Sequence, residues 1–331
     1  MQQRQTQTAA KPAPYTPVSD VLPQQDLSLD IRDMGALMNP PDDKPVNWAA
    51  VKAVYEKGGN SKKGDGSART LASVATNPKV LAQFPNGAKV FGNPSFLDGN
   101  VRAALDGTGR AKGVADKARK QLVDKAILAV LYGEILEELE AAQGKVKEGK
   151  LDNARGAPHN VDEAWAYYVG ARDAKGEYPF ALSSTAQKRE RNFKLEGMID
   201  VRLQKSIGGC LQAAQKGDGA ALDKAVATTR GYINGIFYLA SLRYMSQLVG
   251  DTDPKEREVH LAEGWGFFQA IRPAVAAASA SGAETVESVY AAPATQAVTA
   301  HDLTRVYAAL NNPAVLQVLN VPKDLTMKAP K

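Results

Sequence analysis

The chain has 331 residues, a hydrophobic fraction of 44% and a formal net charge of +5. This length and apolar content predict a folded protein of one or two domains. Because the Lys and Arg residues form no dense run, nucleic-acid binding is not expected. No segment approaches the roughly 20 apolar residues of a membrane span, so membrane insertion is not expected either. The one cysteine, Cys210, is predicted to be a small buried residue rather than a reactive thiol.

Residues 1–45 form the first predicted unit, an extended N-terminal segment. Residues 1–14 are polar and contain Pro, without the apolar core of a signal peptide. Such a start is typical of a mature exported protein or of a chain that has been trimmed. Pro and Asp punctuate residues 15–45, which predicts extended chain wrapped around the body of the protein.

The rest of the sequence predicts helices almost throughout. Asn47 is a suitable N-cap for a helix that reaches Tyr55. Apolar residues at helical spacing predict long helices at 114–143 and 219–249, and further helices are predicted at 184–215, 284–297 and 302–319. We therefore expect an all-α antiparallel helical bundle with halves at 46–215 and 216–325.

One segment of the chain recurs one hundred residues later. The pattern Glu-x-Trp-x-aromatic-aromatic-x-x-x-Arg occurs at Glu163 to Arg172 and again at Glu263 to Arg272. Each copy follows one of the long predicted helices. The repeat predicts an internal duplication in which residues 114–172 superpose on 219–272 through a pseudo-two-fold axis, with Trp165 and Trp265 both buried.

Each copy also places a histidine one helical turn before its glutamate. His159 precedes Glu163 by four residues, and His260 precedes Glu263 by three, so each pair shares one helix face. Helices offer two metal ligands together in this way. Alternatives remain open: Asn160 and Glu163 could form a capping box, and either pair could be structural. A helix that begins at Asp253 and Pro254 would leave Glu263 too far inside for capping.

Secondary candidates lie on the first long helix and in the first copy of the motif. Glu134 and Glu138 share a helix face, although the abundance of Glu on exposed helices favours a solvated face. Tyr167 could supply a phenolate ligand in one copy only, because Phe267 replaces it in the other. Arg172 and Arg272 could hold an anion such as carbonate, or pair with carboxylates, which is the favoured role.

Three stretches of the sequence resemble a known family. They are Gly156 to Trp165, the segment from Tyr55 to Ala72 with its Gly-rich loop, and Lys188 to Phe193. They are similar to the algal iron-assimilating proteins, which are low-iron-inducible and also described as high-CO2-inducible, and the similarity spans most of residues 45–310. The resemblance implies a helical, periplasmic or extracellular protein that binds iron and helps to capture it for uptake.

We therefore predict an iron site built from His159, Asp162, Glu163, His260 and Glu263, with either ferrous or ferric iron as the cargo. Carboxylate, imidazole and phenolate groups are suitable iron ligands and need no cysteine. A membrane iron reductase or transporter would be the downstream partner. The alternatives are a metal-dependent helical enzyme and a metal-free interaction protein. Because no Ser-His-Asp, His-Glu-x-x-His or nucleotide-binding signature is present, an enzyme is not expected.

Overall fold

A computed structural model describes residues 14–41 and 44–330 of the chain. The protein is 69% helical, and the described residues form no strand, only an isolated antiparallel bridge between Lys62 and Ala68. The predicted all-α fold is confirmed. Residues 1–13 of the predicted polar tail, and residues 42–43, lie outside the described residues. In the described part of the chain, no helix is long and apolar enough to cross a membrane.

Short helices precede the first long helix, α8, and the remaining helices follow it. The first group comprises α1 (Leu22–Gln25), α2 (Leu27–Leu37), α3 (Trp48–Lys57), α4 (Leu71–Ala75), α5 (Pro78–Ala82), α6 (Gly87–Phe91) and α7 (Phe96–Asp106). The second comprises α8 (Asp116–Lys147), α9 (Ala157–Val169), α10 (Leu182–Phe193), α11 (Asp200–Lys216), α12 (Gly219–Leu248), α13 (Pro254–Ala278), α14 (Ala280–Tyr290), α15 (Ala300–Leu310) and α16 (Pro313–Leu319).

The long helix α8 lies at the centre of the bundle. It packs along α9 on one side and along α13 on another, while α12 packs against α13 and α11. Between Ile127 and Leu139 most residues of α8 are buried, because neighbouring helices surround this part of it. Cys210 is fully buried on α11, and burial raises the pKa of its thiol to about 12, as expected for an inert structural cysteine.

The N-terminal segment is helical where extended chain was predicted. Residues 14–21 are non-helical, but α1 and α2 follow at once. In α2, Leu27, Ile31 and Met34 recur at helical spacing, and Leu27 and Met34 are completely buried. The prediction was wrong because it took Pro and Asp as residues that interrupt helices. In this segment they lie at helix starts and at polar positions within helices. Asp30, for example, is buried and accepts hydrogen bonds from Asn60.

Gly170 allows the N-terminal segment to lie against the end of α9. This residue has a φ of +72°, and a Cβ atom added to it would lie 2.7 Å from the Ser28 hydroxyl oxygen. Gln25 donates a hydrogen bond to the Gly170 carbonyl, and the Ser28 hydroxyl accepts one from the Ala171 backbone. Any larger residue at position 170 would push the segment away from α9.

Helix boundaries agree with the sequence at some ends and differ at others. The predicted Asp253 cap of α13 is confirmed, since its side chain accepts from the Lys255 amide. The predicted helix 184–215 is two helices, because Lys194 adopts a left-handed conformation that ends α10. The prediction at 302–319 is likewise divided, at Asn312, which caps α16 ahead of Pro313. The helix predicted at 284–297 runs from Ala280 to Tyr290.

The two copies of the repeated motif have different surroundings. Each forms an antiparallel hairpin with the long helix before it, α8 with α9 and α12 with α13. However, α8 also packs on α13, whereas α11 lies against both α9 and α12. This packing gives the pseudo-two-fold axis no support, and the duplication stays a prediction. The division of the chain at residue 215 also stays a prediction. A single hydrophobic core includes residues from both sides of it.

The two repeated tryptophans are buried to different extents. Trp165 is 5% exposed, stacks on Tyr15 with ring centroids 5.1 Å apart and donates to Gln204. Trp265 is only partly buried and donates to Glu287 at 2.8 Å. The prediction of burial is therefore confirmed for Trp165 and wrong for Trp265, whose side chain stays partly exposed.

We expect Trp165→Ala to lower the free energy of unfolding by about 3–5 kcal/mol, since it empties a buried aromatic site. Trp265→Ala should cost clearly less, because its side chain already reaches solvent. Denaturant melts of the two variants and the unmodified protein measure both values. Equal losses for the two variants would contradict this prediction.

Candidate metal centre

Three carboxylates meet where α8 packs against α9. Glu134 and Glu138 lie one turn apart on α8 and are 6% and 9% exposed, and Glu163 faces them from α9. The predicted solvated face is wrong for Glu134 and Glu138, because this part of α8 is covered by α9 rather than by water. The secondary candidates and one primary candidate thus form a single cluster.

Two side-chain amides hold these carboxylates. The Asn160 Nδ2 donates to Glu138 Oε2 at 2.5 Å and lies 3.3 Å from Glu163 Oε2. The Gln24 Nε2, reaching in from α1, donates to Glu163 Oε1 at 2.5 Å. The capping-box alternative for Asn160 is excluded, because α9 begins at Ala157 and both Asn160 and Glu163 lie inside it.

Several oxygen atoms of this cluster are buried without hydrogen bonds. Glu134 Oε2, Asn160 Oδ1 and Gln24 Oε1 have no hydrogen-bond partner among the described residues. A buried polar atom without a partner costs roughly 1–3 kcal/mol. All three atoms are acceptors, so the cluster lacks hydrogen-bond donors for them, which is the deficit that a bound cation would fill.

The pKa values of the carboxyl groups agree with this lack of donors. Burial, then the charge of Glu137, raises the pKa of Glu134 to about 7. Burial, followed by the charges of Glu163 and Glu134, raises the pKa of Glu138 well above its usual value. In the part of the chain described, neither residue forms a salt bridge with Lys or Arg. At neutral pH the metal-free cluster therefore retains at least part of a proton.

Tyr167 completes the cluster on the α9 side. Its hydroxyl lies near Glu134 and opposes the rise in the pKa of that carboxyl, and the positive charge of Arg69 acts in the same direction. Burial and then the charges of Glu134 and Glu138 raise the pKa of Tyr167 itself, so the phenol is neutral in this state. A phenolate ligand would therefore require the field of a cation.

His159 and Asp162 lie on the outer side of α9, where the N-terminal segment covers it. His159 Nε2 is 3.5 Å from Glu163 Oε1, and its Nδ1 is 2.8 Å from the Ser19 hydroxyl, so it borders the cluster at a partly exposed edge.

Asp162 is fully buried and accepts from Tyr15, from the Val18 and Ser19 amides and from the Ser19 hydroxyl. With four donors, Asp162 has an anchoring role in this structure rather than the predicted position among the metal ligands.

His260 and Glu263 are not close to the cluster. Glu263 Oε1 accepts from the Tyr244 hydroxyl at 2.9 Å and lies 3.7 Å from Lys125 Nζ. His260 Nδ1 lies 2.8 Å from Asp251 Oδ2. Lys125 and Glu138 are both on α8, about 20 Å apart along its axis at 1.5 Å per residue. The predicted convergence of the two His-Glu pairs is therefore wrong, because α9 and α13 both pack on α8 but their glutamates contact it at different levels, Glu263 beside Lys125 and Glu163 beside Glu138.

The two arginines of the motif have local partners. Arg272 lies 3.6 Å from Glu287 Oε2 and donates to Gln269, in agreement with the favoured ion-pair role. Arg172 donates to the Tyr178 hydroxyl at 2.7 Å and lies over its ring. It thus pairs with an aromatic residue in place of the expected carboxylate.

The cluster does not yet have the geometry of a bound metal. In the described ranges, no three His, Cys, Asp or Glu side chains are arranged as metal ligands. The amides of Asn160 and Gln24 lie between the carboxylates and occupy their lone pairs. The donor set nevertheless fits iron, since facing Glu residues on neighbouring helices are how helical bundles build carboxylate metal sites.

Sequence reasoning missed two members of the cluster. The sequence could have predicted Asn160, because it lies three residues before Glu163 and thus on the same helix face. Gln24 had none, since its contact with Glu163 joins residues 139 positions apart. Only the path of the N-terminal segment brings it to the cluster.

The architecture is therefore that of an all-α bundle with facing carboxylates enclosed between two of its helices. Residues 1–254 match the Fea1 family, described as low iron-inducible periplasmic protein, and the chain belongs to this family. Searches of curated proteins and of solved structures gave no significant match. The family resemblance and the periplasmic location predicted from sequence are confirmed, and the role of the protein is related to iron.

The raised carboxyl pKa values predict that the metal-free protein loses stability as the pH rises. The folded state binds protons at Glu134 and Glu138 more tightly than the unfolded state, so this stability is present below about pH 4.5 and is lost as the pH rises, the contribution of Glu134 as the pH passes about 7. For Glu134 alone, the rise in pKa from 4.5 to about 7 corresponds to a loss on the order of 3 kcal/mol.

Thermal melts of the metal-free protein at pH 5 and pH 7.5 measure this difference. The double variant Glu134→Gln, Glu138→Gln should show a smaller difference, because neither amide titrates. A double variant with the same pH dependence as the unmodified protein would show that other groups cause it.

Proposed function

We propose that the protein captures iron in the periplasm at the cluster of Glu134, Glu138 and Glu163, with His159 and Tyr167 as further ligands. The iron is cargo that the protein passes on for uptake. The observation that supports this most is that the buried Glu134 and Glu138 lie against the partly buried Glu163 without a Lys or Arg salt bridge in the described part of the chain. Such an arrangement is costly unless a cation is bound.

The chemistry of the ligands suits iron better than softer metals. Carboxylates, one imidazole and one phenol form a hard, oxygen-rich donor set, and no thiol takes part. Binding a cation would lower the pKa of the carboxyl groups and of the Tyr167 phenol, so iron uptake should release protons. The partly exposed His159 lies at the edge where iron would enter.

The first copy of the repeated motif, and not the second, supplies the site in this proposal. Glu163 faces other carboxylates, whereas Glu263 lies beside the ammonium group of Lys125. The family match also ends at residue 254, before His260 and Glu263. Both observations support a site between α8 and α9.

We infer a carrier rather than an enzyme, because the cluster is buried between helices and beneath the N-terminal segment. A reaction at the metal would need space for a substrate beside it, whereas storage or transfer needs only an entrance for the ion. Transfer to a membrane iron reductase or transporter is the corresponding last step.

The equivalent glutamates of the two motif copies provide a matched test. Glu163→Gln should weaken iron binding on the order of 100-fold, because it removes a ligand charge. Glu263→Gln should leave affinity and stoichiometry unchanged. Titration with ferrous iron under anaerobic conditions, and with ferric iron supplied as its citrate chelate, measures both. Equal affinities for the two variants would place the site elsewhere.

Glu138→Gln adds a test that separates binding from structure. It should also weaken iron binding, yet raise the melting temperature of the metal-free protein by about 2–4 °C, since it relieves repulsion between buried carboxylates. A residue that only maintained the fold would lose stability when changed. A lower melting temperature together with normal iron binding would contradict the proposal.

A further inference from the structure

The N-terminal segment brings one side chain directly onto the carboxylate cluster. Gln24 lies on α1 and is 7% exposed, and its amide nitrogen donates to Glu163 Oε1 at 2.5 Å. The segment is fixed on both sides of Gln24. Before it, Tyr15 and Ser19 bind Asp162, and after it Gln25 donates to the Gly170 carbonyl. Gln24 is therefore held over the cluster by contacts that do not involve the cluster itself.

The other end of the same amide has no partner in the described ranges. Gln24 Oε1 is buried and accepts no hydrogen bond, although an amide oxygen can accept two. Asn160, on the opposite side of Glu163, shows the same pattern, with its nitrogen on the carboxylates and its Oδ1 unsatisfied. Both amide NH2 groups thus donate to carboxylates, while the amide oxygens accept no hydrogen bond in the described ranges.

This orientation is the one that a metal-free acidic cluster selects. The amide NH2 group carries partial positive charge and stabilises the carboxylates in place of a cation. Once a cation occupies the cluster, the preference reverses, because the NH2 group is repelled and the oxygen is attracted. An amide can exchange the two groups by rotating about its last side-chain bond, since oxygen and nitrogen are nearly equal in size.

We propose that Gln24 is an iron ligand, its amide rotating to present Oε1 when the metal binds. This inference rests on the proposed function and adds a residue from outside the α8–α9 hairpin. The N-terminal segment then closes the site: it stabilises the metal-free cluster through Nε2 and the loaded cluster through Oε1. Iron must displace the Gln24 hydrogen bond to enter, and the anchored segment slows its departure.

The test compares two neighbouring glutamines of the segment. Gln24→Leu removes the amide and should weaken iron binding at least about 10-fold, with a faster release of iron to a competing chelator. Gln25→Leu removes an equally buried amide that anchors the segment to Gly170 but does not contact the cluster, so it should lose far less iron affinity than Gln24→Leu. Ferrous iron under anaerobic conditions is the probe.

A second variant keeps the test independent of any folding defect in Gln24→Leu. Gln24→Glu should bind iron at least as tightly as the unmodified protein, while its metal-free form melts at a lower temperature because a further carboxylate joins the cluster. Its gain in melting temperature on iron loading should therefore be the larger one. Weaker iron binding by Gln24→Glu would overturn the proposal.

The outcomes distinguish this inference from the proposed function. If the unmodified protein and Gln25→Leu bind iron and Gln24→Leu binds it equally or more tightly, Gln24 is a competitor of the metal and not a ligand. If the unmodified protein binds no iron at all, the proposed function fails and the role of Gln24 falls with it.

Discussion

The packing of α8 against α9 forces like charges together, and the surrounding structure compensates for it. Glu134 and Glu138 project from α8 into its packing with α9, where they are buried, and the partly buried Glu163 of α9 lies against them. Two amides and retained protons reduce the repulsion, but three buried acceptor atoms remain without donors in the described structure. Burying these acceptors without donors lowers the stability of the folded protein. Functional sites commonly reduce stability in this way.

The N-terminal segment is the main compensating element. Asp162 accepts four hydrogen bonds from residues 15–19, and its burial shows that a carboxylate can be well accommodated here when donors converge on it. Glu138, in contact with a single amide, is the contrasting case on the adjacent face of the same hairpin. The two environments differ in their donors: Asp162 is satisfied by the N-terminal segment that it anchors, whereas Glu138 lies among carboxylates that have few donors.

The repeated motif shows how similar sequences acquire different chemistry from their neighbours. Glu163 and Glu263 occupy equivalent positions, but the second lies beside Lys125 and the Tyr244 hydroxyl. A neutralised, hydrogen-bonded glutamate has little to gain from a cation. Membership of the low iron-inducible periplasmic protein family, through a match that ends before Glu263, agrees with a functional centre in the first copy.

The sequence by itself determined the all-α class, the long helices and the Asp253 cap of α13, because helical periodicity and capping are local properties of the chain. It also selected Glu134, Glu138, Glu163 and Tyr167 as candidates, since spacing along a helix fixes which residues share a face. It could not determine that the face of α8 bearing Glu134 and Glu138 is buried, because burial depends on which helix lies opposite. Nor could the sequence predict that Gln24 contacts Glu163, or that Glu263 lies far from both residues. Those outcomes follow from contacts between segments far apart in the chain, which only the tertiary structure decided.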